Sequence, residues 1–174
     1  YDGFFWAKMK LSGVEGKNID RLTLVIPLKN EESPMFHAVS NTIRTNPAGN
    51  IPDGSGIVWD GSQLKRAMDF GKEMIHPQIV PCIWIGGVEK GLSWFLDSSM
   101  GYRLKKDAPA MRIVRNGGEL RLEVDIINRP SKLKDGHEFE FGMQATPVKP
   151  LEKSWRKIVY DSSGEGIKGM DTAI

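Results

Sequence analysis

One cysteine and three histidines in 174 residues leave little material for metal or thiol chemistry. Cys82 has no partner for an internal disulfide, and it sits inside the apolar run Ile79-Val80-Pro81-Cys82-Ile83-Trp84-Ile85. It reads as a small buried hydrophobe, with no charge nearby in sequence to stabilise a thiolate. His37, His76 and His137 are far apart and lack Cys, Asp or Glu at ligand spacing, so neither a metal nor another cofactor is expected. Excess charge is missing too. With 24 basic against 22 acidic residues, no field steers the chain towards nucleic acid or an anionic membrane. No apolar run approaches the roughly 18 residues of a spanning helix, and no leader pattern is present. Gly54-Ser55-Gly56 and Gly86-Gly87 lack the lysine and following helix of a phosphate loop and read as turns. Asp53-Gly54-Ser55-Gly56 lacks the spacing of a known calcium loop, and Ser98-Ser99 has no nucleophile-elbow context.

What the chain does have is apolar content, 40%, sufficient for one core, and period-two alternation. Phe5, Ala7, Met9 and Leu11 take one side of a strand, with Lys8, Lys10 and Ser12 on the other. Leu22, Leu24, Ile26 and Leu28 repeat the pattern. Met111 to Arg115 and Leu120 to Ile126 flank Asn116-Gly117-Gly118-Glu119, whose Asn and Gly suit a tight hairpin turn. Phe139 to Ala145 gives a last clear strand. With the runs near Ile57, Ile79 and Leu92, at least eight strands separated by Gly, Pro and Asn predict an all-β, two-layer antiparallel β-sandwich. At most one short helix is expected, over Ser62 to Met74.

Ile79 to Ile85 and Gly91 to Leu96 are apolar on both faces, whereas sandwich strands normally show water one face. Their second face needs cover, from a further domain or from the chain's own loop Pro34 to Asp53. Of the five tryptophans, Trp6, Trp59, Trp84 and Trp94 are candidates for contact with a carbohydrate or a domain interface. Trp84 and Trp94, set among Ile, Leu and Phe, favour a core or interface role over a sugar platform. Asp60, Glu89, Asp97 and Asp107 lie near strand ends, but no adjacent Asp-Glu pair occurs anywhere. No catalytic residue is therefore assigned, since glycoside cleavage generally needs two cooperating carboxylates.

Phe141-Gly142-Met143-Gln144-Ala145-Thr146-Pro147-Val148-Lys149-Pro150-Leu151 resembles the signature that closes the N-terminal β-sandwich of glycoside hydrolases similar to family 123. Tyr1 to Trp6, Ile19 to Leu28 and Ile83 to Phe95 fit the same family in order and spacing. The resemblance implies a sandwich over residues 1–155, with 156–174 leading towards an absent C-terminal β/α barrel that would be its partner in the same polypeptide. In that family the barrel carries an Asp-Glu pair acting on N-acetylgalactosaminides. The resemblance thus implies a non-catalytic module of a secreted, periplasmic or cell-surface bacterial protein of glycan breakdown. The start at Tyr1 and the glycine-rich stretch Gly164 to Gly169 read as cuts through a longer chain. An independent carbohydrate-binding module is the alternative, and an autonomous glycosidase a third reading.

Overall fold

A computed structural model of the chain describes residues 3–39, 46–63 and 75–147, together with the backbone of 159–160 and 167–168. Its first six strands are β1 (Phe4–Leu11), β2 (Asn18–Ile19), β3 (Leu22–Lys29), β4 (Met35–Ala38), β5 (Ala48–Asn50) and β6 (Gly56–Asp60). Then come β7 (Cys82–Gly86), β8 (Gly91–Phe95), β9 (Met111–Asn116), β10 (Glu119–Ile127), β11 (Ser131–Lys132) and β12 (His137–Thr146). Two short strands follow, β13 (Val159–Tyr160) and β14 (Ile167–Lys168), which pair with each other. A six-stranded sheet runs β1-β12-β8-β7-β4-β5 and a four-stranded sheet β3-β10-β9-β6, while β11 pairs with β2. Among the described residues every strand pair is antiparallel and helix is limited to short 3₁₀ turns, as an all-β sandwich requires.

Alternation decides which side chains enter the core. On the six-stranded sheet the inner face carries Ala7, Phe139, Phe141, Trp94, Ile83, Ile85, Phe36 and Ala38, all buried and laterally aligned by the register. The four-stranded sheet answers with Met111, Ile113, Leu120, Leu122, Val124 and Ile126. The ring of Phe36 from the first sheet meets Trp59 from the second with centroids 5.2 Å apart, tying the two layers into one core. The expected hairpin is present. Glu119 pairs with Asn116, and Gly117 supplies the left-handed φ of 58° that the two-residue connection demands.

Within the stretch Pro34 to Asp53 the described residues 35–38 and 48–50 are sheet strands rather than a loop over a sheet face, which corrects for them one of the two covers considered above; 40–45 lie outside the described residues. The two strands, β4 and β5, extend the six-stranded sheet in its own plane. Of the expected helix, Ser62 lies in a 3₁₀ turn (Gly61–Gln63), and 64–74 lie outside the described residues, as does the expected boundary at residue 155. Gly101 holds φ at 90°, and a Cβ there would run into the carbonyl oxygen of Glu138. Gly101→Ala should therefore lower stability by about 1–3 kcal/mol, read from the midpoint of urea unfolding.

Candidate functional site

The outer face of the six-stranded sheet is divided between charge and aromatic rings. Lys8 and Lys10 on β1 oppose Glu140 and Glu138 on β12, and Lys8 pairs with Glu138 at 2.9 Å. Beyond Glu140 the face turns apolar. Phe4 and Trp6 stack with an interplanar angle of 9° and centroids 6.4 Å apart, and Phe95 of β8 closes a triangle at 5.8 Å from Phe4 and 6.0 Å from Trp6. Phe4 is 49% and Trp6 37% exposed, and Phe95 is half-buried, so these rings face outward.

Gly142 is what lets the rings lie down. Positioned between Trp6 and Phe95 in the register, it would place a Cβ 2.5 Å from Phe95 Cζ and 2.9 Å from Trp6 Cε3. Across the Ser93–Gln144 cross-strand pair, Trp84 lies over Gly91, where a Cβ would be 2.5 Å from three atoms of the indole. Both indoles are pinned: Trp6 Nε1 donates to Glu140 Oε2 at 2.9 Å, and Trp84 Nε1 to Thr146 Oγ1 at 3.0 Å. Gly142→Ala should lift the Trp6 and Phe95 rings off the sheet, seen as a red shift of tryptophan emission.

Of the four tryptophans singled out in the sequence, the structure places only Trp6 and Trp84 on this face. Trp94 and Trp59 are 0% and 3% exposed, deep in the core, and offer no open ring. Trp155 lies outside the described residues. Phe4 and Phe95 join the site although the sequence did not single them out. The signal was the unbroken aromatic triplet Phe4-Phe5-Trp6, which puts a ring on the outer as well as the inner side of β1.

The four strand-end carboxylates are scattered. Glu89 lies in the turn before β8 and Asp97 just past its other end, so roughly the strand's length, about 16 Å, lies between their backbones. Paired glycosidase carboxylates stand roughly 5–9.5 Å apart. Asp60 ends β6 on the other sheet and accepts the Ser62 N–H at 2.9 Å, and Asp107 is exposed in the loop before β9. Burial pushes the Cys82 thiol up from its ordinary value, as expected of an inert cysteine. Ser99 Oγ accepts the backbone N–H of His76 at 2.8 Å, and the His76 ring Nδ1 accepts from Gln78 N at 3.2 Å. Among the described residues no cluster of three metal-ligating side chains occurs, and no helix is long and apolar enough to cross a membrane.

The four-stranded sheet carries its own polar centre. Asp125, 2% exposed, accepts from Thr23 Oγ1 at 2.6 Å, Arg112 Nη1 at 2.9 Å and Arg21 Nη2 at 3.2 Å, while Arg112 Nε reaches Glu123 at 2.7 Å. Burial pushes the Asp125 carboxyl up. The hydrogen bonds from Arg112 and Thr23, with the charges of Arg112 and Arg21, outweigh it and hold the group below its ordinary value.

These features define the class: an antiparallel β-sandwich with a preformed aromatic platform on one outer face and a buried ion cluster on the other sheet. No family model, curated protein or solved structure matches the chain.

Proposed function

We propose that the chain is a non-catalytic β-sandwich module that docks, through the outer face of its six-stranded sheet, on a catalytic β/α barrel of the same polypeptide in a bacterial glycan-degrading protein. The observation behind this reading is a convergence. Three of the four stretches that resemble family 123-like proteins meet on this one face: Phe4 and Trp6 from the first, Trp84, Gly91 and Phe95 from another, and Gly142, Gln144 and Thr146 from the closing signature. Within that signature, residues of one parity fill the core (Phe141, Met143), and those of the other form the platform's floor. An apolar centre rimmed by Lys8, Glu138 and Glu140 is the anatomy of a protein contact. The substrate class that the resemblance implies is the N-acetylgalactosaminides.

A second reading has its own support. Trp84 rests one ring face on Gly91 with Ser93 and Gln144 beside it, a geometry that also suits a sugar's C–H face in an independent carbohydrate-binding module. Dye binding and glycan arrays separate the two. Interfaces between domains of one chain bury roughly 600–1,500 Å², so the isolated chain should bind a hydrophobic dye and self-associate with rising concentration. Trp6→Ser with Phe95→Ser should remove most of both effects, and a polypeptide continuing into the barrel should show neither. A wild-type chain that stays monomeric and dye-free would overturn the docking reading. Array binding lost on Trp84→Ala would replace it with the second. The chain alone should not hydrolyse a chromogenic N-acetylgalactosaminide; turnover abolished by substituting Asp60, Glu89 or Asp97 would contradict the non-catalytic assignment.

A further inference from the structure

A cleft of about 370 Å³ opens beside the ion cluster of the four-stranded sheet, within the roughly 300–1,000 Å³ of small-molecule sites. Arg21, Lys105, Arg112 and Asn128 line it, and their donors exceed the acceptors they meet. Asp125 takes Arg21 Nε and Nη2 and one N–H from each terminal nitrogen of Arg112. That leaves Arg21 Nη1 and one further N–H on each terminal nitrogen of Arg112. The Lys105 backbone N–H donates to Asn128 Oδ1 at 2.7 Å, which fixes the amide and leaves its Nδ2 donors free. The Lys105 ammonium has no protein partner among the described residues. Two carboxylates also line the cleft. Asp125 is matched by two guanidiniums, and the exposed Asp20 accepts from Asn18 Nδ2 at 2.5 Å. Glu123, which takes the Arg112 Nε proton, is not part of the lining. Pro109 and Pro130 supply apolar wall.

From this surplus of donors beside apolar wall, the arginines and Asn128 held in place by their bonds and Lys105 exposed, we infer that the cleft binds a small organic acid, its carboxylate or sulfate ester held by Lys105, Asn128 and the arginines. Guanidinium and ammonium donors form their strongest hydrogen bonds with such oxyanions. The site lies on the other sheet from the docking face, and the choice of sugar acids as its ligands rests on the glycan reading given above, whose docking test is separate.

Amide-resolved NMR titration of the whole chain tests it, with galacturonate, galactose 6-sulfate and neutral galactose as probes. At least one acidic probe should shift the amides of Lys105, Asn128 and Arg21 saturably, and galactose should not. Lys105→Gln, an exposed change, should weaken that binding about tenfold, and Lys105→Arg should largely retain it. Raising salt from 50 to 500 mM should weaken it further. Binding by neither acid, equal binding by galactose, or unchanged affinity in a folded Lys105→Gln variant would each overturn the proposal.

Discussion

Trp94→Ala is expected to remove about 3–5 kcal/mol of folding free energy, enough to unfold a domain of ordinary stability. Trp94 is fully buried on the inner face of β8, flanked in the register by Ile83 and Met143 and with its ring 25° from the plane of Phe141 at 6.4 Å. Truncation there leaves a void between two sheets whose backbones are fixed by their ladders, so little collapse can fill it. Trp94→Phe should cost much less. The Trp94 Nε1 proton has no acceptor among the described residues, so the change gives up volume but also removes a buried donor that forgoes its bond to water on folding. Urea unfolding of the two variants measures the gap. Equal losses would mean that the indole nitrogen has a water partner, or that the core relaxes around either residue.

The same strand shows where sequence reasoning stops. Trp84 and Trp94 have similarly apolar local surroundings, Trp84 between Ile83 and Ile85 and Trp94 among Leu92, Phe95 and Leu96. Parity within the register separates them: Trp94 faces Ile83, whereas Trp84 faces Ser93 and His37. That register is set by non-local pairing, which no local window contains. The hairpin of β9 and β10 was legible because its turn and both alternating strands lie within seventeen consecutive residues. Pairing of β1 with β12, across about 130 residues, was not, and the aromatic triangle depends on it through Gly142. β4 and β5 were read as loop because four and three residues are too few to show a period. Asp125 looked like an ordinary outward residue between Val124 and Ile126. Only Arg21 and Arg112, brought in from strands or loops on either side, make it a buried ion.

Arg112→Ala should therefore be the most damaging change on the outer side of the four-stranded sheet, at about 3 kcal/mol. Removing one partner of a buried pair typically costs roughly 3–5 kcal/mol, because a desolvated charge is left uncompensated; here Arg21 and Thr23 still hold Asp125, which favours the lower end. In a double-mutant cycle with Asp125→Asn, the two losses should not add, the double variant being more stable than their sum predicts by at least ~1.5 kcal/mol. The sign of the pH dependence follows from the depressed Asp125 carboxyl. An ionised form favoured by the fold contributes fully above the ordinary carboxylate value near pH 4, and the contribution fades as pH falls through the lower folded value. Wild type and Asp125→Asn should thus differ most in urea midpoint at neutral pH and converge in strong acid. A gap that stayed constant from pH 7 to pH 2 would show that Asp125 contributes through packing and neutral hydrogen bonds rather than through its charge.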